Sequence, residues 1–252
     1  MWDLIVLNPM INALLFIYDV LGDNFGLAII VLTALIRVIT FPLTYQQQRS
    51  TQKMQELQES KRAKDIQKKF KDDKAKQQEE LLKLYQEAGV NPLSGCLPLL
   101  IQFPVIIGLY QSIIRALADA PIQLFELSSH IYSSIPSGLI PLNSQFLWMD
   151  LSQPERLYIP GIPIGIPVLT ILVVITTYLS TKLTTPPSGD GQGAQMTQMM
   201  SMYMPLLLGY FAYTFAAGLA LYFVTSNILQ VVQYAATGKV DWRNLLGSAG
   251  SN

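Results

Sequence analysis

The sequence predicts an all-α, polytopic membrane protein with five transmembrane helices, an N-terminal interfacial helix and a cytoplasmic helical hairpin. Half of its 252 residues are hydrophobic and 13% are charged, about half the charged fraction of an average soluble domain. The charges are also unevenly placed, since residues 46–88 hold 11 of the 17 Lys and Arg residues and 8 of the 17 Asp and Glu residues. One polar block in an otherwise apolar chain is typical of a membrane protein that has one large segment outside the bilayer, in water.

Five apolar stretches supply the spans, because a helix needs about 20 apolar residues to cross a bilayer. The last two stretches run together, and we expect them to turn at Gly218 because glycine adopts positive φ freely. Residues 4–21 are apolar but interrupted by polar residues, which favours an interfacial helix over a sixth span. The predicted segments are an interfacial helix (1–24), a first span (25–45), a cytoplasmic helical hairpin (46–92), a second span (93–117), an outer loop (118–160), a third span (161–182), a cytoplasmic loop (183–198), the fourth and fifth spans (199–238) and a cytoplasmic tail (239–252).

The distribution of basic residues orients the spans. The side that holds the hairpin, the loop at 182–196 and the tail carries 14 of the 17 Lys and Arg residues, whereas the other side carries Arg156 alone. Because cytoplasmic loops are enriched in Lys and Arg, we expect the N-terminus outside and the C-terminus in the cytoplasm. A bacterial plasma membrane is the expected location. The first residues lack the basic start of a signal peptide.

The polar block at 46–88 predicts two antiparallel helices that project into the cytoplasm. Its first turn signal comes at 71–74, and Gly89 and Pro92 end the second helix. Two interpretations stay open. The hairpin is a solvated connector, or it is a docking arm for a partner or an incoming chain, because 43 residues is long for a connector.

Arg37 lies within the first span, eight residues from its cytoplasmic end, which corresponds to a depth of about 12 Å. An arginine at that depth costs about 2.5–3.5 kcal/mol on insertion scales. Thr33, Arg37, Thr40 and Thr44 follow at spacings of 4, 3 and 4 and therefore share one helical face. This stripe favours a hydrated cavity in which the charge is available to a visiting ligand. The alternative is a side chain that snorkels to the cytoplasmic interface.

Matching polar stripes occur in other spans, and no acidic residue lies at membrane depth in any of them. Arg37 therefore has no evident counter-ion within the predicted spans. The residues expected to bind a ligand around this cavity are Arg37, Thr33, Thr40, Gln102, Tyr222, Ser226, Asn227 and Gln230.

Residues for metal, redox or covalent chemistry are scarce. One cysteine, Cys96, and one histidine, His130, cannot build a zinc site, and no cofactor is expected. The spans contain no nucleophile–base pair and no paired carboxylates, which disfavours an enzyme. The net charge of the chain is zero, which gives no reason to expect direct nucleic-acid binding. We interpret His130 as incidental and Arg115, near the outer end of its span, as a residue that snorkels.

Three motifs resemble those of the YidC/Oxa/Alb membrane insertase family. They are the run Asn91–Pro104, the run Ala217–Asn227, and Thr33–Arg37 followed by Phe41–Leu43. Two positions depart from the family pattern. Ala216 and Ala217 stand before Gly218 where a Phe-Pro-Ala-Gly-like turn is frequent, and Phe223 stands where tryptophan is frequent. Both replacements are conservative in size or polarity.

The resemblance implies a membrane protein insertase and chaperone. Such a protein moves client transmembrane segments from the cytoplasm into the bilayer through a hydrophilic groove, and Arg37 matches the arginine of that groove. Nascent membrane proteins are the implied clients, and the ribosome, the signal recognition pathway, the Sec translocon and the lipid bilayer are the further partners of the family. We expect a member without the large periplasmic domain, and with a tail too short for strong ribosome binding on its own.

A function from another class stays open at this point. A small-anion transporter or channel could use Arg37 as its binding site. We see no internal repeat in the sequence, and the predicted number of spans is odd, whereas many transporters are built from repeated halves. Both observations favour the insertase.

Overall fold

The computed structural model describes residues 1–71, 73–90, 97–117, 127, 130–132, 142–158, 165–184 and 192–237. A π-helical turn, Asp3–Leu7, continues into the first α-helix. The α-helices are α1 (Asn8–Val20), α2 (Phe25–Glu59), α3 (Lys61–Lys69), α4 (Lys74–Glu87), α5 (Leu97–Ala116), α6 (Val168–Thr184), α7 (Gln192–Thr214) and α8 (Ala217–Ala236). Two antiparallel strands, β1 (Gln145–Phe146) and β2 (Met149–Asp150), pair with Gln145 opposite Asp150 and Phe146 opposite Met149.

Six of the helices pack into a bundle. Helix α6 packs on α7 and α8, α2 packs on α8, and α1 packs on α2 and α5. We call the end where β1 contacts α2 the strand end, and the opposite end, where α2 continues into α3, the hairpin end. The main buried core brings together apolar side chains of α1, α2, α5, α6 and α8, among them Phe25, Ile29, Leu109, Ile113 and Val173.

Helix α2 joins the predicted first span to the predicted hairpin without interruption. It begins after Asn24, whose Oδ1 accepts a hydrogen bond of 3.0 Å from Leu27 N, a side-chain cap typical of helix N-termini. It runs for 35 residues to Glu59, a length of about 52 Å. The predicted boundary at residue 45 is therefore not a helix end, and polar residues beyond it extend the same helical faces.

Ser60 interrupts the first arm of the hairpin, which the sequence predicts to be unbroken up to residues 71–74. The residue has an extended backbone with ψ at 151°, and its Oγ accepts a hydrogen bond of 3.3 Å from Ala63 N. The same hydroxyl donates to Leu57 O at 2.6 Å. A serine hydroxyl competes with the helical hydrogen-bond ladder in this way. Ser60 therefore ends α2 and caps α3.

Helices α3 and α4 form the antiparallel pair that the polar block predicts. Arg62, near the start of α3, lies 3.6 Å from the carboxylate of Glu87 at the end of α4. Between these ends and the turn, Gln77 Nε2 donates to Gln67 O at 3.2 Å. The pair also buries a small apolar set, Ala63, Leu84 and Tyr85.

The connection between α7 and α8 does not turn at Gly218, which corrects the prediction. Helix α7 ends at Thr214 and α8 begins at Ala217, so Gly218 lies in the first turn of α8, and its φ is not positive. A Cβ at this position would lie 3.0 Å from Ile113 Cγ2 and 3.2 Å from Ile29 Cδ1. Gly218 therefore allows α8 to approach α2 and α5 closely.

Three helical stretches within the described residues are long and apolar enough to cross a membrane: Asp3–Val20, Phe25–Glu59 and Ala217–Ala236, with Val168–Thr184 as a shorter apolar helix. Because Asp3–Val20 has the length of a crossing, its interfacial placement stays a prediction, as does the count of five spans. Some predicted features lie outside the described residues: 91–96 of the first motif, 118–126 and 133–141 of the outer loop, 185–191 of the cytoplasmic loop, and the tail at 239–252.

Candidate functional site

A cavity of about 560 Å³ lies among α2, α5, α6, α7 and α8. Its walls contain all eight residues that the sequence predicts to bind a ligand. Helix α2 contributes Thr33, Arg37 and Thr40, helix α5 contributes Gln102, and helix α8 contributes Tyr222, Ser226, Asn227 and Gln230. The structure thus brings together side chains that are up to 197 positions apart in the sequence, from residue 33 to residue 230.

Arg37 is held by neutral acceptors of α8. Its Nη2 donates to Ser226 Oγ at 2.6 Å, to Ser226 O at 3.0 Å and to Gln230 Oε1 at 3.4 Å. None of the ion pairs among the described residues involves Arg37, and it is the one charged residue among the described side chains that line the cavity. Because Ser226 lies near the middle of α8, the guanidinium is fixed at that depth instead of extending to the hairpin end.

The threonines of α2 use their hydroxyl hydrogens within their own helix. Thr33 Oγ1 donates to Ile29 O at 2.6 Å, and Thr40 Oγ1 donates to Ile36 O at 2.8 Å. This back-bonding to the preceding turn is common for threonine in helices. What these hydroxyls offer to a ligand is therefore an oxygen lone pair, which accepts hydrogen bonds. Thr33 is almost fully buried and forms part of the wall.

Two amides connect α8 to its neighbours. Gln102 Nε2 of α5 donates to the hydroxyl of Tyr222, a residue buried in the core. On the other side, Asn227 Nδ2 donates to Thr177 Oγ1 of α6 at 2.8 Å. Gln102, Tyr222 and Asn227 therefore fix the positions of α5, α6 and α8 around the cavity. The amide nitrogens of Gln102 and Asn227 each donate to a hydroxyl group of the protein.

Apolar side chains of α5 and α7 complete the cavity. Phe103 and Ile106 of α5 and Leu207, Leu208 and Phe211 of α7 line it. The cavity thus has a polar side with one positive charge and an apolar side. Such a surface suits an amphipathic ligand better than a small polar ion.

Comparisons with known proteins place this chain in a family. A family model described as 60Kd inner membrane protein matches residues 16–241. The chain belongs to this family, the YidC/Oxa family. Membrane protein insertase MisCA of Bacillus subtilis (strain 168) is 34% identical over 234 residues, which cover 92% of this chain and 77% of the relative. Membrane protein insertase YidC of Clostridium perfringens (strain 13 / Type A) is 37% identical over 218 residues, covering 84% of this chain and 77% of the relative.

A solved structure of the YidC/Oxa family shares the fold. It is a crystal structure of an active YidC insertase with the first transmembrane domain resolved, and it is 30% identical with a TM-score of 0.57. The match covers 86% of this chain and 42% of the solved chain. The predicted family and the all-α, polytopic membrane fold are thereby confirmed, and the protein is integral to the bacterial membrane.

The cavity of this YidC/Oxa-family protein extends further towards the hairpin end than the sequence predicts. Thr44, the last residue of the predicted stripe, lines it, and so do Gln47 and Gln48 of α2 and Gln233 and Tyr234 of α8. Gln233 Nε2 donates to Thr44 Oγ1 at 2.9 Å. Gln48 follows Thr44 by four residues, so the spacing of the polar stripe continues. The predicted first span ends at residue 45, before Gln47 and Gln48, so these two residues were not expected to line the cavity.

His130 lies outside the cavity and is not incidental. Its Nε2 lies 2.9 Å from Arg115 Nη1, and its Nδ1 lies 2.7 Å from Asn8 Oδ1. Because an arginine only donates, Nε2 is the acceptor and Nδ1 carries the hydrogen. Asn12 Nδ2 donates to the carbonyl of His130 at 2.8 Å, and Arg115 also lies 3.9 Å from the carboxylate of Asp3. This cluster joins α1 to α5. The sequence predicts that Arg115 snorkels to the interface, whereas the structure pairs it with His130 and Asp3.

Proposed function

We propose that this YidC/Oxa-family protein inserts transmembrane segments of nascent membrane proteins into the bilayer, and that the cavity around Arg37 receives the hydrophilic flank of the client. One observation carries the proposal: a guanidinium in a half-apolar cavity is held by Ser226 and Gln230, which are neutral. Its charge is therefore available to an acidic side chain of the client.

The attraction is large enough to matter for insertion. A unit-charge pair about 4 Å apart interacts by roughly 4 kcal/mol at an effective dielectric constant of 20. Placing an aspartate at the centre of a membrane costs about 2.5–3.5 kcal/mol on insertion scales. Arg37 can therefore offset most of the cost of bringing one acidic flank residue to that depth. Gln230 also lines the cavity, and its amide nitrogen is a hydrogen-bond donor that can replace part of the hydration lost by the carboxylate.

The apolar side of the cavity supplies the second half of the mechanism. A client segment that reaches Phe103 and Leu207 is already in contact with apolar surface. Both side chains are about half exposed, at 53% and 48%, as expected where a cavity opens towards lipid. Transfer of the apolar segment from water to lipid drives the step, and the polar flank follows through the cavity.

We further propose the orientation that the basic residues indicate, with the N-terminus outside and the hairpin in the cytoplasm. Helix α3 carries five basic residues and one acidic residue in nine positions, so its surface suits a client or ribosome of negative charge. The hairpin then acts as a docking arm. Deletion of residues 61–87 should weaken cosedimentation of the protein with ribosomes that carry a nascent membrane protein.

The test of the main proposal is insertion of a single-span client with an acidic N-terminal tail into liposomes that contain the purified protein. Arg37→Ala should lower insertion at least tenfold, whereas a client with the acidic residues changed to amides should be affected much less. Arg49→Ala is a matched control, because Arg49 is exposed on the same helix and does not line the cavity. Equal insertion by Arg37→Ala and wild-type protein would contradict the proposed charge attraction.

The small-anion transporter is the second function to test, since a cation with neutral partners also suits an inorganic anion. The apolar wall of α5 and α7 disfavours it, because a small anion gains nothing from that surface. Rapid, saturable uptake of chloride or phosphate by the same liposomes would support the transporter instead.

A further inference from the structure

Gln48 is a buried amide at the hairpin end of the cavity. Its side chain lines the cavity and is only 6% exposed. It follows Arg37 by 11 residues on α2, which is about three helical turns or 16 Å. Arg37 and Gln48 therefore lie on nearly the same face of the helix, at two depths of one cavity.

One polar end of the Gln48 amide has no partner. The Tyr234 side chain on α8 forms a hydrogen bond with Gln48, while Gln48 Oε1 has no hydrogen-bond partner among the residues that the structure describes. The phenol oxygen therefore accepts from the amide nitrogen of Gln48, and the amide oxygen is the end without a partner. That oxygen is left desolvated, and a buried polar group in that state needs a functional explanation.

We propose that Gln48 and Tyr234 form a second client subsite, which binds the main chain of the client polypeptide in an extended conformation. The free Oε1 of Gln48 accepts a hydrogen bond from a backbone N–H of the client, and every residue except proline has one, so the subsite accepts nearly any client sequence. A charged ligand is disfavoured there, because the neighbouring lining residues Thr44, Gln47 and Gln233 are all neutral. This inference rests on the proposed insertase function and adds a second contact to it.

The distance between the two subsites determines how many client residues separate the one at Arg37 from the one at Gln48. An extended chain rises about 3.3 Å per residue, so about five client residues span the 16 Å between Arg37 and Gln48. A client whose acidic side chain contacts Arg37 therefore places the main chain of a residue about five positions away against Gln48. The first subsite selects charge, and the second holds the backbone without selecting sequence.

Insertion assays with the full-length protein test the subsite. Gln48→Met keeps the size of the side chain and removes the amide. We expect it to lower insertion threefold to tenfold, the effect of one neutral hydrogen bond, for acidic-tail and amide-tail clients alike. Arg37→Ala should affect mainly the acidic-tail client. Gln46→Met is the matched control, because Gln46 is exposed on the same helix and does not line the cavity.

Thermal unfolding in detergent separates this role from a structural one. Gln48→Met removes the buried Oε1 that lacks a partner, which offsets the loss of the hydrogen bond to Tyr234, so the Tm should stay close to that of the wild type. A Tm that falls together with insertion would overturn the inference, because Gln48 would then support the fold. Normal insertion by Gln48→Met alongside impaired insertion by Arg37→Ala would also overturn it, and would leave the proposed function intact. Loss of the Arg37 effect would instead count against the proposed function.

Cross-linking tests the separation between the two subsites directly. Gln48→Cys in a Cys96→Ser background is oxidised with clients that carry one cysteine at successive positions of the tail. The yield of disulfide should be highest for a client cysteine about five residues from the acidic residue. When the acidic residue is moved along the tail, the position of highest yield should move by the same number of residues. If the position of highest disulfide yield stays fixed while the acidic residue moves, the two subsites do not bind one client chain at the same time.

Discussion

Arg37 Nη2 and Ser226 Oγ are joined by a hydrogen bond of 2.6 Å between α2 and the middle of α8. The same nitrogen lies 3.0 Å from Ser226 O, so one residue of α8 provides two acceptors for it. Ser226 is itself buried, at 5% exposure. A neutral, buried residue therefore sets the depth at which the positive charge of the cavity lies.

Ser226→Ala should loosen Arg37 without removing the charge. A hydrogen bond to a charged group contributes about 1.5–3 kcal/mol, and the carbonyl of residue 226 remains as an acceptor. We expect a lower Tm in detergent and reduced insertion of acidic-tail clients, with a smaller effect than that of Arg37→Ala. Thr225→Ala is the control, because Thr225 does not line the cavity. If Ser226→Ala matches the wild type in both measurements, its Oγ does not position the guanidinium.

Local helical geometry explains why the polar face of the cavity could be predicted. Side chains three or four residues apart share a face of any helix, so Thr33, Arg37 and Thr40 are grouped by spacing alone. The same holds for Ser226 and Gln230 on α8. Hydropathy, in contrast, indicates which part of a helix crosses the membrane, and it does not indicate where the helix ends. Helix α2 continues for 14 residues beyond the predicted boundary at residue 45, which is why its further lining residues were missed.

Contacts between distant segments could not be predicted from such patterns. His130 is 122 positions from Asn8, and no local spacing relates the two residues. Gly218 has a similar explanation. A glycine in sequence indicates a turn, but the constraint on Gly218 is the closeness of Ile113 and Ile29 on two other helices. Only the packed bundle shows that constraint.

Gly218→Ala should destabilise the bundle at the strand end. The added methyl group would lie 3.0 Å from Ile113 Cγ2 and 3.2 Å from Ile29 Cδ1, closer than ordinary van der Waals contact, so these two side chains or α8 must move by a few tenths of an ångström. Overpacking of this kind costs about 1–3 kcal/mol. We expect a Tm several degrees below that of the wild type. Ala235→Val, at an exposed position of the same helix, adds volume without a clash and should keep the wild-type Tm, and a similar Tm for Gly218→Ala would refute the close approach.

Asp150, at the end of β2, should make a pH-dependent contribution to stability. Burial opposes ionisation of this carboxyl, but hydrogen bonds from Ser152 N at 2.9 Å and Ser152 Oγ at 2.7 Å outweigh it and hold the pKa of Asp150 below its usual range. Because the pKa is lower in the folded state, the ionised carboxyl stabilises the protein above the unfolded pKa of about 3.9. That contribution is lost as the pH falls through the folded pKa.

Ser152→Ala removes one of these donors and should move the pKa of Asp150 upwards. The carbon-13 chemical shift of the Asp150 carboxyl, followed by NMR as the pH is lowered, measures the change. The backbone N–H of residue 152 remains in the variant, so part of the lowering should persist. An unchanged titration midpoint would show that the Ser152 hydroxyl does not stabilise the carboxylate.

Glu155 anchors the N-terminus of α6 from the loop that carries β1 and β2. Its side chain is buried, at 7% exposure, and Oε2 accepts a hydrogen bond of 3.0 Å from Leu169 N, while Oε1 accepts one of 3.0 Å from Trp148 Nε1. Leu169 is the second residue of α6, and the first N–H groups of a helix have no partner within it. A carboxylate at that position is also favoured by the helix dipole.

Glu155→Ala leaves two donors unpaired and should lower the free energy of unfolding by about 1–3 kcal/mol. Glu155→Gln keeps one acceptor and loses the charge, so its Tm should lie between those of Glu155→Ala and the wild type. Gln153→Ala is the control, because its exposed side chain lies two positions away in the same loop. Hydrogen exchange reports the anchor itself: the Leu169 amide should exchange faster in Glu155→Ala than in the wild type, and equal exchange rates would mean that water replaces the carboxylate without cost.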